Sequence, residues 1–142
     1  MPKMTDAEYR SFMMDRARTG KLATVRADGR PHVAPVWFTM DGDDILFMTG
    51  ETTVKGRNIR RDGRIALSVD DEQPPFSFVV IEGEATILDP TPQELLHWST
   101  EIGGRYMGAD KAEAYGKRNA VPGELLIRVK VTNRVAAKDI AD

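Results

Sequence analysis

Two Asp-Gly turns between short apolar runs constrain the fold of this chain more than any other feature. The first lies within Ala27-Asp28-Gly29-Arg30 and the second within Asp41-Gly42-Asp43. An Asp-Gly pair readily adopts the positive φ angles that tight hairpins require. The turns therefore predict strands at residues 21–26, 32–40 and 45–49, paired as an antiparallel meander.

Three further β-like runs follow at residues 64–69, 76–88 and 124–131, the second with a bulge or bend at Gly83. Helices are predicted to begin at Thr5, where Glu8 completes a capping box, and at Thr91, where Glu94 does the same after Pro92. Six strands with short helices as covers predict a mainly β fold, a small β-barrel. The length of 142 residues predicts a single domain, residues 1–142.

The composition excludes several classes of function. The chain has no cysteine, which rules out disulfides, thiolate catalysis and Fe–S clusters. Its formal net charge of −2 argues against a nucleic-acid-binding protein. The two histidines, His32 and His97, lie far apart, so no metal site is expected, and His32 is interpreted as a strand-end residue. No apolar run reaches membrane-spanning length and no signal peptide is evident, so we expect a cytoplasmic protein.

Residues 50–64 concentrate positive charge in this acidic chain. Between residues 55 and 64 a single acid, Asp62, accompanies five cations: Lys55, Arg57, Arg60, Arg61 and Arg64. The segment predicts a short helix that begins at Thr52 or Thr53, where free N–H groups and the helix dipole favour an anion. Lys55 lies within one turn of that end, where it can bind the same anion. The alternative interpretation is a solvated helix face, which is what most charge runs are.

The order of elements resembles the pyridoxamine-phosphate-oxidase-like split barrel, especially its branch of deazaflavin-dependent reductases that use coenzyme F420. The resemblance spans roughly residues 5–131. It is carried by Gly20-Lys21-Leu22-Ala23-Thr24-Val25 with Asp28-Gly29-Arg30-Pro31-His32-Val33, then Pro35-Val36-Trp37-Phe38, then Thr53-Val54-Lys55-Gly56-Arg57-Asn58-Ile59-Arg60-Arg61-Asp62. It implies a six-stranded antiparallel split β-barrel that works as a homodimer, with the cofactor at the dimer interface.

The resemblance also implies which residues bind the cofactor. Backbone groups along the strand would contact the ring, namely Ala34, Pro35, Val36 and Trp37. The phosphate would be held by Thr53, Lys55 and Asn58, and an oligoglutamate tail by Arg57, Arg60 and Arg61. The implied set is completed by Thr49, Ile59, Ser77 and Phe78. Flavin-dependent members often carry an arginine where this chain has Val54, which favours F420 over FMN with its compact phosphate.

The function expected from this resemblance is an F420-dependent oxidoreductase that transfers a hydride between the deazaflavin and a small organic substrate. Two alternatives remain open: an FMN-binding oxidase or reductase on the same fold, and a non-catalytic carrier of flavin or haem. No catalytic side chain is predicted. Three residues are candidates to line a substrate pocket or to pack in the core or dimer interface: Trp98, Tyr106 and Met107.

Overall fold

The computed structural model describes all 142 residues, which form seven strands, four α-helices and one short 3-10 helix. In chain order the elements are α1 (Asp6–Met14), β1 (Gly20–Val25), β2 (Pro31–Val36), β3 (Phe38–Asp41), β4 (Asp44–Gly50), α2 (Val54–Arg61), β5 (Arg64–Asp70), β6 (Phe78–Ile87), α3 (Pro92–Met107), the 3-10 turn (Ala109–Lys111), α4 (Ala112–Asn119) and β7 (Glu124–Ala137).

All seven strands belong to one antiparallel sheet in the order β2-β1-β5-β6-β7-β4-β3. Its edge strands, β2 and β3, are separated in sequence by one residue, Trp37. A single residue can join opposite edges only if the sheet curls until those edges approach each other. The mainly β, split-barrel fold class is therefore confirmed.

The predicted count of six strands is wrong, because residues 32–40 form two strands and not one. Before Trp37 the chain pairs with β1, so that Val36 lies opposite Gly20. After Trp37 it pairs with β4, so that Phe38 lies opposite Phe47. The two hairpins consequently lie at opposite edges of the sheet and do not form the predicted meander.

Local signals for turns and caps are confirmed. Gly29 and Gly42 have φ angles of +88° and +61° in the two predicted turns. Both predicted capping boxes form, at Thr5 with Glu8 and at Thr91 with Glu94. The pairing of β6 with β7 shifts register at Gly83, and a Cβ atom there would lie 2.6 Å from the Lys130 carbonyl oxygen. The bulge allows β6 to bend with the curled sheet.

The core fills the inside of this curled sheet and is closed at one side by α1. Phe38, Phe47 and Met13 are its largest fully buried side chains. Arg105, near the end of α3, donates hydrogen bonds to the carbonyl groups of Met13, Arg16 and Phe38. This guanidinium thus ties α3 to the end of α1 and to the start of β3. None of the helices combines the length and apolarity that crossing a lipid bilayer requires.

Candidate functional site

A cavity of about 290 Å³, here called the cofactor cavity, lies where β2, α2 and β7 begin or end. Its wall includes Pro35, Val36 and Trp37 of the predicted ring-binding strand. It also includes Lys55, one of the residues predicted to bind the phosphate. The remaining wall residues are Met48, Ser99, Ile102, Asn119 and Glu124. The structure therefore brings the strand and the lysine, which are far apart in sequence, to one site.

Trp37 is held in place by an aromatic stack. Its ring lies parallel to that of Tyr106, with an angle of 3° between the planes and 5.1 Å between the ring centres. The Tyr106 hydroxyl donates to the Arg18 carbonyl (2.8 Å) and accepts from the Phe38 N–H (3.1 Å). Tyr106, a candidate for a substrate pocket, instead packs within the chain and positions Trp37.

Two opposite charges face the cofactor cavity without forming an ion pair. Lys55 and Glu124 both line it and are both partly buried. Burial raises the pKa of the Glu124 carboxyl above its ordinary value, and the nearby Lys55 charge opposes that rise. Sequence reasoning missed Glu124, because it belongs to β7, some 70 residues after α2, and no local pattern marks it.

Thr53 caps α2, and its side chain is already occupied by the protein. The Oγ1 atom accepts from the Gly56 N–H (3.1 Å), donates to the Gly50 carbonyl (2.8 Å) and lies 2.8 Å from the hydroxyl of the buried Thr49. A Cβ at Gly56 would lie 2.5 Å from the Gly50 oxygen, so glycine permits this close approach. The two threonines therefore build the helix start, where the lysine and free N–H groups remain available to an anion.

Asn58 and Ile59 face the interior. Asn58 is 3% exposed and donates to the Thr24 hydroxyl at 2.9 Å, while its Oδ1 accepts from Arg61 at 3.0 Å. Ile59 belongs to the hydrophobic core. Within the chain both residues fix α2 against the barrel, and a direct role of either in cofactor binding stays a prediction.

Four arginines surround a second depression of about 340 Å³ along α2, which we call the basic patch. Arg57 and Arg61 come from α2, and Arg26 and Arg30 from the β1–β2 turn. Asp28 is the one acid that lines it. Arg30 pairs with Asp28 at 2.8 Å and Arg61 donates to the Val25 carbonyl and Asn58, whereas the side chains of Arg26 and Arg57 have no partner in the chain.

The basic patch differs from the predicted tail groove in its members. Arg57 and Arg61, four residues apart, share a helix face, and Arg60 projects from α2 outside the patch. Arg26 and Arg30 were missed, because only the folding of the hairpin beside α2 brings them there. Arg64, the last of the run, pairs with Asp62 at 2.7 Å and is not available.

Ser77 and Phe78 lie away from this site within one chain. β6, which begins at Phe78, stands three strands from β2 in the sheet. The Ser77 hydroxyl accepts a long hydrogen bond of 3.4 Å from the Asp139 N–H. Ala34 is partly buried on β2 beside the cavity wall. A contact of Ser77 or Phe78 with a cofactor stays a prediction.

The donors present fit an elongated anion that carries a planar ring. Lys55 and the start of α2 offer positive charge beside the ring-sized cofactor cavity, and the basic patch continues it. From Pro35 to Pro31, the β2 residue next to Arg30, the separation is about 13 Å, at ~3.3 Å per strand residue. The buried Nδ1 atom of His32, on the same strand, has no hydrogen-bond partner in the chain.

Comparison with known proteins identifies the family. The model of the pyridoxamine 5'-phosphate oxidase family matches residues 5–134, nearly the whole chain. The chain belongs to that family. The fold is accordingly the family's flavin-binding split barrel, as the resemblance at the sequence level implied.

Solved structures agree with this membership. A conserved hypothetical protein of Mycobacterium tuberculosis is 26% identical, with a TM-score of 0.83 over 96% of this chain and 86% of that one. An F420 reductase is 29% identical, with a TM-score of 0.67 over 87% of this chain and 94% of that one. An FAD-binding protein of Mesorhizobium loti is 18% identical, with a TM-score of 0.68 over 96% and 97% of the two chains, and shares the fold.

Proposed function

We propose that this protein is a coenzyme F420-dependent oxidoreductase that transfers a hydride between the deazaflavin and a small organic substrate. The observation that carries the proposal is the basic patch, in which four guanidinium groups face one carboxylate in a chain of net charge −2. Several spaced carboxylates, as in an oligoglutamate tail, could pair with these guanidinium groups, whereas one compact phosphate would leave most of them without a partner. Similarity to an F420 reductase supports the same choice.

Each part of the site has a role in this proposal. The deazaflavin supplies the hydride when it is bound. Pro35, Val36 and the stacked Trp37 form a rigid wall for its ring, and Lys55 at the start of α2 holds its phosphate. Arg26 and Arg57, which lack partners in the chain, bind the tail. Ile102 and Met48 add apolar surface to the same wall.

We further propose that the working unit is a cytoplasmic homodimer, with a second chain covering the cofactor. Two apolar side chains near the site are exposed, Val33 on β2 by 64% and Val54 on α2 by 41%. Exposed apolar residues on both elements of one site are typical of a surface that another chain covers.

Cofactor choice is tested by fluorescence titration of the purified protein with F420 and with FMN. We expect F420 to bind at least tenfold more tightly. Equal or reversed affinities would refute the F420 assignment and favour the FMN-dependent alternative. Tight binding of flavin or haem without turnover of any electron acceptor would favour the non-catalytic carrier.

Variants test whether Lys55 holds the phosphate and the basic patch binds the tail. Lys55→Ala should cost about 1.5–3 kcal/mol, roughly 10- to 100-fold in affinity, with F420 and with a tail-less analogue alike. Arg26→Ala and Arg57→Ala should each weaken the binding of F420 but not of the tail-less analogue, and each loss should be smaller than that of Lys55→Ala. The loss should shrink as salt rises, because these charges are near the surface.

The matched control is Arg64→Ala, which removes the same charge from a residue that is paired outside the patch. Its affinity for F420 should stay within about twofold of the unaltered protein, as expected for a remote surface charge. If the tail-less analogue loses as much affinity as F420 in Arg26→Ala and Arg57→Ala, the patch does not bind the tail.

A further inference from the structure

The largest concave surface of the molecule belongs to none of the predicted site residues. It is a groove of about 640 Å³ between the start of α3, the α4–β7 connection and the end of β6, called here the apolar groove. Half of its fourteen lining residues are hydrophobic, among them Leu88, Leu95, Leu96, Val121 and Leu126. This volume and this mixture of apolar walls with few polar groups are typical of small-molecule sites.

Close packing and hydrogen bonds hold the elements around the groove together. α3 and α4 pack so closely at Gly116 that a Cβ atom there would lie 2.1 Å from the Thr100 hydroxyl oxygen. The buried Ser99 hydroxyl donates to the Gly116 carbonyl at 2.8 Å, and the Leu88 N–H bonds to the Leu126 carbonyl at 2.9 Å. A preformed groove lowers the entropic cost of binding.

Glu124 joins the apolar groove to the cofactor cavity, since its side chain lines both. Its place is set by the backbone, since it lies opposite Gly50 in the β4–β7 pairing. A molecule in the groove therefore has its inner end next to the cavity that we assign to the cofactor ring.

The charges on the groove select against anions. Its charged lining residues are Asp89, Lys117 and Glu124, and Lys117 is already paired with Glu113 at 2.9 Å. The two remaining carboxylates give the groove an excess of negative charge, and the one cation that acts on Glu124 is Lys55 in the cofactor cavity.

We propose that the apolar groove binds the substrate, an apolar small molecule without negative charge, with its inner end at Glu124. Its identification as the substrate site rests on the proposed F420-dependent function, whereas its binding of such molecules does not. The ligand would then lie beside the cofactor cavity, which Glu124 also lines.

The test uses three probes that share the naphthalene ring and carry a neutral, a cationic or an anionic substituent: 1-naphthalenemethanol, 1-naphthylmethylamine and 1-naphthoate, titrated by their fluorescence without cofactor. The alcohol and the cationic amine should bind, and naphthoate should bind at least tenfold more weakly than the amine. Glu124→Gln should reduce the ratio of the amine affinity to the naphthoate affinity at least threefold. No binding by any probe, or equal binding by naphthoate, would overturn the proposal.

Groove variants locate the probe. The double variant Leu96→Gln/Val121→Gln should weaken the binding of the amine and of the alcohol at least tenfold. Both side chains are partly exposed, at 38% and 44%, so the fold should tolerate the change. Val135→Gln, at a 53% exposed valine of the same strand as Glu124 but outside the groove, is the matched control and should change nothing. Amide chemical-shift changes on adding the amine to the unaltered protein should centre on Leu96, Val121 and Glu124, which tests the location without any substitution.

Three further outcomes distinguish this proposal from its competitors. Saturating F420 should leave probe binding in place, and displacement of the probe would make the groove part of the cofactor site and overturn the proposal. If the groove variants break a dimer in sedimentation and probe binding is unaffected, a second copy of the chain occupies the groove. Probe binding without any F420 binding would refute the proposed function and leave the groove as a ligand site.

Discussion

Replacing Asn58 should lower the stability of the protein and leave cofactor affinity nearly unchanged. Its amide donates at 2.9 Å to Thr24, and the two residues are 3% and 2% exposed. Asn58→Ala removes that bond in a site that water does not reach, which costs about 1–3 kcal/mol. For a chain of this length, 2 kcal/mol corresponds to a fall in melting temperature of roughly 5–8 °C.

The assay is urea unfolding of the cofactor-free protein, combined with F420 titration of the same variant. Thr24→Val removes the partner hydroxyl at nearly constant volume, so it also leaves one buried group unpaired. The double variant should lose less than the sum of the single losses, with a coupling of about 1 kcal/mol. We expect F420 affinity in Asn58→Ala to change less than about threefold, because Arg61 loses its bond to Asn58 but keeps its bond to the Val25 carbonyl, which holds it near the patch.

The reasoning would be refuted by the opposite pattern. If Asn58→Ala unfolds within about 0.5 kcal/mol of the unaltered protein and loses tenfold or more in F420 affinity, Asn58 is a cofactor ligand, as the resemblance implied. Lys55→Ala is the comparison within the same helix, since it should weaken F420 binding and leave urea unfolding unchanged.

Two other predictions concern acid stability and assembly. The Glu8 pKa is lowered from 4.5 to about 2, first by its hydrogen bond to Lys138 and then by the Thr5 N–H, so its stabilising effect is complete above pH 4.5 and is lost as pH falls towards 2. Glu8→Gln should therefore be less stable than the unaltered protein in urea at pH 7 and equal to it near pH 2, and a constant difference would contradict the assignment. Sedimentation at micromolar concentration should give twice the chain mass of 15.8 kDa, and Val33→Glu should give the single mass while Val135→Glu does not. A single mass for the unaltered protein with cofactor present would rule out the dimer.

Features that depend on neighbours in sequence were predictable from the sequence. The capping boxes at Thr5 and Thr91 connect residues three positions apart, and the Asp28-Gly29 turn needs only its own backbone angles. The helix after Thr53 and its positive charge follow from the same short-range rules. Family membership was also readable, because the three segments that carry the resemblance are contiguous stretches.

The tertiary structure alone decided which surfaces those elements form. The sequence predicts Trp37 in the middle of one strand, yet it joins two strands at opposite edges of the sheet. Which strands pair depends on contacts between residues distant in sequence. Arg26 and Arg30 join Arg57 and Arg61 only when the hairpin packs beside α2. Asn58, predicted as a cofactor ligand, lines the basic patch and is buried against Thr24, since which face of α2 meets the barrel is decided by packing; its role in binding stays a prediction. Glu124 reaches the cofactor cavity because β7 pairs with β4, a contact that spans some 70 residues and that no local pattern encodes.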